Sequence, residues 1–292
     1  PLATSARALT PGIPTMRKDA GMSSFDTTIA LSPLGGKGSS LLFSWQVPDG
    51  WQQGRGAWGG LAIGAMTRAV ELSESDPLRS VRTVSLHLCA PAIVGAHVVQ
   101  VQPVRLGSGM STWAVTVTDA AETTVATGSI ITGAARASSI GRDEQAWSAV
   151  SAPTAPAAPD VTVVDTPPPF PTFTQHLAFA PVTGYPLAGI PAQTLGWIDY
   201  RSPVTPSAAS LLALVDGWYT ATLVSLTELV NIATVNFTAT LLMDPSEIVT
   251  GEPLLHHGIV SASRDGFASE QRRLWTADGR LAVDNLQTMA VG

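Results

Sequence analysis

The residue best placed for acid–base chemistry is Asp216, which closes the apolar run Ala208-Ala209-Ser210-Leu211-Leu212-Ala213-Leu214-Val215. A carboxylate at the C-terminal end of an apolar helix is opposed by the helix dipole and partly stripped of water. Burial of that kind raises its proton affinity toward the range useful to a general base, and a purely structural reason for an acid there is weak. Trp218 and Tyr219 follow the helix end, one glycine beyond Asp216, and either line a channel beside Asp216 or serve as packing aromatics.

Other reactive residue types form no site. His256 and His257 are adjacent on an expected strand and point to opposite faces, which rules out joint ligation. His87 and His97 have no carboxylate nearby in sequence and read as structural. One cysteine, Cys89, permits neither an intramolecular disulfide nor a Cys-based zinc site, so no metal is expected and a reducing, cytoplasmic compartment fits. Gly54-Arg55-Gly56-Ala57-Trp58-Gly59 spells a dinucleotide-binding pattern before a helix, yet the chain beyond that helix reads as an antiparallel meander rather than alternating strands and helices. No cofactor is expected there; the segment reads as a tight loop entering the helix, with Trp58 lining a pocket. The glycosylation match Asn236-Phe237-Thr238 falls within a strand and is noise.

The elements that must position Asp216 come in two similar sets. In the first half an apolar helix over 60–72 precedes strands near 82–90, 97–106, 111–119 and 123–132. In the second a helix over 206–216 precedes strands near 231–242, 254–263, 268–277 and 280–291. An extra strand opens each half, at 39–47 and 193–201. Thr205 and Pro206 are expected to cap and start the second helix, with Gly217 as its stop. An offset of 151 aligns Thr83-Val84-Ser85 with Thr234-Val235-Asn236 and sets Ala65 against Asp216, while Ile131 falls opposite Gln287. On that alignment only Thr83 persists in the first copy, and one active site per chain is expected.

Both helices are apolar on nearly every face, so each must be wrapped rather than laid on a surface. A curved antiparallel sheet of about five strands around one long helix, formed twice, satisfies this demand. That arrangement is the double hot-dog fold, of the α+β class, with two curved antiparallel sheets each wrapped around a central helix. The organisation expected is an N-terminal extension over 1–24, hot-dog domains over 25–136 and 191–292, and a Pro/Ala-rich linker over 137–190 containing Thr166-Pro167-Pro168-Pro169-Phe170-Pro171. Arg7, Arg17 and Lys18 precede the first acid, Asp19, which gives the extension a weak transit-peptide flavour; a disordered tail or a start at Met22 accounts for it more simply.

From about Phe25 to Gly292 the sequence resembles the double hot-dog acyl-CoA thioesterases of the thioesterase II type. That family is described as using an Asp at the end of the second hot-dog helix, a Thr on the following strand and a Gln on the last strand. The matching residues are Asp216, Thr234 and Gln287. The resemblance implies hydrolysis of an acyl thioester to a free carboxylic acid and CoA, without cofactor. The chemistry is consistent: a thiolate leaves readily, so the reaction needs a positioned water and a base to accept its proton. Asp216 would be that base, with Thr234 and Gln287 as positioners. Arg105, Arg201 and Arg264 are candidate contacts for the phosphates of CoA. Two further readings are a non-catalytic acyl-thioester binding or scaffold protein, and a hot-dog dehydratase or hydratase; the second needs a His paired with an acid, and none is apparent.

Composition limits the partners. With 16 basic and 22 acidic residues the net charge is −6 and the pI about 5.3, against a nucleic-acid binder. No apolar run reaches the length of a membrane span. Open sheet edges are expected to pair across a two-fold axis, giving a homodimer or higher homo-oligomer.

Overall fold

A computed structural model describes residues 24–136 and 150–292. The expected extension up to residue 23 and the linker stretch 137–149 lie outside the described residues. The first half comprises α1 (Phe25–Thr28), β1 (Leu31–Lys37), β2 (Ser40–Val47), the two-residue strands β3 (Gln52–Gln53) and β4 (Gly56–Ala57), α2 (Gly59–Ser73), β5 (Arg79–Leu88), β6 (Gly95–Leu106), β7 (Met110–Asp119) and β8 (Thr124–Ala134). The second half comprises β9 (Leu177–Thr183), β10 (Gln193–Tyr200), α3 (Ala208–Asp216), α4 (Thr222–Ser225), β11 (Ile232–Leu241), β12 (Leu254–Arg264), β13 (Phe267–Trp275) and β14 (Leu281–Val291).

Twelve strands form one antiparallel sheet in the order β1-β2-β6-β7-β8-β5-β11-β14-β13-β12-β10-β9. The halves join at its centre, where β5 and β11 pair from Thr83↔Thr240 to His87↔Asn236. Helices α2 and α3 pack against each other inside the curve. All nine residues of α3 and ten of the fifteen in α2 are buried, as their all-round apolar sequences require. The structure is the expected double hot-dog.

Two strands within it were not expected. β1 and β9 contain Pro33 and Pro181, and each bulges, at Leu34 and Val182. Proline is excluded from central strands but tolerated at an edge, and these are the two edges of the sheet. Proline together with a bulge also discourages an edge from pairing with another chain. The stretch read as linker therefore carries structure: it contains β9, and Ala152, Ala155, Val161 and Val163 pack on a small core with Trp197 and Trp275.

The caps of α3 also differ from expectation. Its N-cap is Ser207, not Thr205, and Ser207 and Ser210 bond reciprocally in a capping box. Thr205 instead donates its N–H to Asp26 Oδ2 at 3.1 Å. Gly217 is right-handed, with φ −70°, so it is not a left-handed stop. Its reason is space: a Cβ there would lie 2.8 Å from Leu177 Cδ1 and 3.1 Å from Ile198 Cδ1.

Bulges give the duplication a structural register. Val104 in β6 and Ser261 in β12 are the extra residues of corresponding strands, as are Arg82 in β5 and Val235 in β11. Counted from Arg82 and Val235, Thr234 corresponds to Val81, and Thr83 to Asn236. Counted from Val104 and Ser261, with the matching irregularities after Val117 and Leu274, Gln287 corresponds to Ile130. The offset of 151 and the pairing with Ile131 are therefore corrected. Loops of unequal length shift the register along the chain, and a shared Thr-Val dipeptide hides the shift.

Candidate active site

Asp216 ends α3 with 7% of its surface exposed, beside the first turn of α2. A Cβ on Gly59 would lie 3.0 Å from both Asp216 Oδ2 and Leu88 Cδ1, so any larger residue there would crowd the carboxylate. The Gly60 N–H also bonds the carboxylate, so Asp216 meets the positive end of α2 while standing at the negative end of its own helix. Burial nevertheless dominates, raising the pKa of Asp216 to about 6; Arg272, Gln287, Gly60 and Trp58 each pull it back down.

The structure brings the three sequence-predicted residues together. Gln287, wholly buried on β14, donates from Nε2 to Asp216 Oδ1 at 3.0 Å and accepts at Oε1 from Thr234 Oγ1 at 3.0 Å. The same Nε2 donates to Asn285 Oδ1 at 3.0 Å, and Asn285 Nδ2 donates to the Thr238 carbonyl at 2.9 Å. With both faces of its amide spoken for, Gln287 has one orientation. Thr234 spends its proton on Gln287 and keeps lone pairs for an incoming donor.

Sequence reasoning missed the charged partners behind Asp216. Arg272, 2% exposed, donates from one terminal nitrogen to the carbonyls of Asp216 (3.3 Å) and Trp218 (3.2 Å). That nitrogen stands 3.6 Å from Asp216 Oδ1, and Arg272 Nε is 2.8 Å from Glu270 Oε1. Glu270 is fully buried and also accepts from the Thr220 hydroxyl and, at 3.1 Å, from the Ala221 N–H. The sequence held a signal. On β13 the inward positions read Ala268, Glu270, Arg272 and Leu274, and charge on a core-facing row is costly unless it serves something. In the structural register, His256, Glu270, Arg272 and Gln287 stand where the first half has Val99, Trp113, Val115 and Ile130, all in the core. The first copy keeps none of the polar set.

The remaining predicted residues divide between the cavity wall and the frame behind it. Trp58 is wholly buried and lines neither of the cavities at Asp216; its Nε1 donates to the Asp216 carbonyl at 3.2 Å, supporting the site from behind. Trp218 and Tyr219 both line a cavity beside Asp216. Arg201 bonds the Leu177 and Val164 carbonyls and pairs with Asp165, and neither it nor Arg105 or Arg264 lines the cavities at Asp216. His256 stacks on Trp218 while His257 bonds Gln193 on the opposite face, and among the described residues no cluster of His, Cys, Asp and Glu could hold a metal.

Two cavities meet at the site. The larger, about 680 Å³, is lined by Phe170, Phe179, Tyr185, Trp218, Tyr219 and Leu223 among others. The smaller, about 330 Å³, runs past Arg55, Gly59, Cys89 and Pro91. Gln53, Asp216, Ile232 and Thr234 belong to both.

Residues 47–133 match the acyl-CoA thioesterase N-terminal domain family, and residues 149–291 match the acyl-CoA thioesterase C-terminal domain family. The chain belongs to the acyl-CoA thioesterases. It is a thioester hydrolase. Solved structures agree on the fold. A hot-dog protein of unknown function from Alicyclobacillus acidocaldarius is 26% identical with a TM-score of 0.80, over 92% of this chain and 97% of that one. The acyl-CoA thioesterase II TesB2 of Mycobacterium marinum is 15% identical with a TM-score of 0.71, over 92% and 98%. No curated protein matches the sequence.

The two threonines aligned by sequence give this thioesterase an internal control. Thr83 lies on the seam, donating to the Ala239 carbonyl at 2.9 Å, whereas Thr234 bonds Gln287. Thr234→Ala is expected to lower kcat about 3- to 10-fold, the worth of one hydrogen bond, and Thr83→Ala to leave kcat unchanged. Steady-state thiol release checks both; equal losses would contradict a single site.

Proposed function

We propose that this thioesterase hydrolyses acyl-CoA at the junction of the two cavities, through a water held by Asp216 and Thr234. The observation that carries the reading is the Thr234–Gln287–Asp216 hydrogen-bonded chain, opening onto both cavities at once. A water there gives one hydrogen to Asp216 and the other to the free lone pairs of Thr234, which leaves its own lone pair aimed outward. Attack on the thioester carbon transfers the first proton to Asp216. The developing oxyanion faces the first turn of α2, where the helix dipole is positive. Collapse expels the CoA thiolate, and the proton held by Asp216 returns to the products.

The acyl group lies in the larger, aromatic cavity, with Trp218 and Tyr219 as channel walls. The CoA arm crosses the smaller one, with Arg55 offering a phosphate contact. Trp58, Arg105, Arg201 and Arg264 have no substrate role in this reading. The scaffold reading is disfavoured because a binding protein has no use for a desolvated carboxylate with a pKa near 6. The dehydratase reading lacks its histidine: His256 is held well below its usual pKa, first by burial and then by Arg272, and stacks behind Trp218.

Free-thiol release from a panel of acyl-CoAs tests the assignment. We expect kcat/KM to rise with pH through an acid limb near pH 6, as Asp216 ionises in the free enzyme, and then to level off. Tight acyl-CoA binding with no thiol released at any pH would replace hydrolysis with the scaffold reading.

A further inference from the structure

We propose that Glu270 and Arg272 are positioning residues for the base: Glu270 holds the Arg272 guanidinium on the carbonyls at the end of α3, so that the cation faces Asp216 without hydrogen-bonding its carboxylate. The inference rests on Asp216 being the base. A buried arginine beside a buried aspartate ordinarily forms a two-point pair, which would leave the carboxylate too weak a base to be useful. Here the pairing is diverted. Nε is committed to Glu270 at 2.8 Å, and the terminal nitrogen nearest Asp216 donates to two backbone carbonyls, leaving 3.6 Å to the carboxylate oxygen.

Glu270 is itself anchored. The Thr220 hydroxyl and Ala221 N–H, from the turn after α3, hold its other oxygen. The pair therefore ties β13 to the last turn of α3 and to the segment beyond it, and Arg272 supplies positive charge to carbonyls at the helix end, where the helix itself offers no donor. Two acids and one base, Asp216, Glu270 and Arg272, thus share one buried space.

The groups facing Asp216 can be named element by element. β13 contributes Glu270 and Arg272. β12 contributes His256, kept neutral by burial behind Trp218. β14 contributes the amides of Asn285 and Gln287, β11 the Thr234 hydroxyl, and α2 with its preceding loop the Gly60 N–H and the Trp58 indole. Among these described groups Arg272 is the cation and Glu270 the second anion, so the two should move the titration of Asp216 in opposite directions.

The test is the pH dependence of kcat/KM, read by thiol release, for wild type, Arg272→Met, Arg272→Lys, Glu270→Gln and Asp216→Asn. Removing the cation is expected to move the acid limb up by about one pH unit or more. Glu270→Gln frees Arg272 to turn onto Asp216 and is expected to move the limb down, with kcat on the plateau falling about 10-fold as the base weakens. Arg272→Lys keeps the charge and should leave the limb near its wild-type position while lowering kcat through lost geometry. In Arg272→Met and Glu270→Gln, limbs that stay at the wild-type pH while kcat falls, or that shift the same way in both, would overturn the proposal. If Arg272→Met does not fold, the downward shift in Glu270→Gln decides: its presence supports the pair and its absence refutes it. Failure of the underlying reading looks different, since an acid limb persisting in Asp216→Asn would remove Asp216 as the titrating base whatever the other variants do.

Discussion

Asp216→Asn is expected to lower kcat at pH 8 by at least about 100-fold and at the same time to make the protein more stable. The first effect comes from proton transfer: asparagine keeps the shape and can still bond a water, but it cannot take the proton. The second comes from the cost of an ionised carboxylate that is 7% exposed. In the unfolded chain this Asp titrates at its ordinary 3.8; folded, it titrates at about 6. Between those values the native state binds more protons than the unfolded one, so stability falls as pH rises through the window and stays low above it. Ionisation of Asp216 thus costs on the order of 3 kcal/mol at pH 8, net of what its hydrogen bonds from Gln287 and Gly60 return. Asparagine removes that cost and leaves Glu270 and Arg272 as a neutral pair. Melting at pH 8 should rise by a few degrees, and the gain should vanish below about pH 4. A loss seen only in KM would make Asp216 a binding residue.

Gln287→Ala is expected to lower kcat about 10- to 50-fold, less than Asp216→Asn, and to destabilise the protein by roughly 2–4 kcal/mol. The base remains, so the proton still has an acceptor, but the water loses its alignment because Thr234 and Asp216 are no longer linked. The stability loss has two sources. A wholly buried side chain leaves a cavity, and Asn285 Oδ1 loses its donor in a place that water reaches poorly, while Thr234 Oγ1 loses its acceptor. Chemical denaturation and thiol release on the same preparation separate the two effects. A variant that is destabilised yet fully active would show that Gln287 is structural.

The fold was legible because its demands are repeated. Two helices apolar on every face, each followed by four alternating strands, leave little choice but sheets that wrap them. The edge strands β1 and β9 escaped because Pro33, Gly35, Gly36 and Pro181 argue against a strand, and only an edge position removes the objection. Asp216 was legible for a physical reason, as an acid where a helix dipole opposes one. Thr234 and Gln287 came from resemblance; Thr-Val pairs are ordinary in strands, and the repeat of one at Thr83 misled the alignment. Only the bulges at Arg82 and Val235 reset it. Glu270 and Arg272 left a signal as charges on alternate positions of an expected strand, but it became readable only once β13 showed which of its faces points inward.

The direct role of Asp216 in activating water, rather than in attacking the thioester itself, is tested by a single turnover in ¹⁸O-labelled water with enzyme in excess. Direct attack by water predicts one labelled oxygen in the first-turnover carboxylic acid and an unlabelled Asp216 in the peptide recovered by mass spectrometry. An acyl-enzyme that accumulates before acid is released, or label incorporated into the Asp216 carboxylate, would contradict the account.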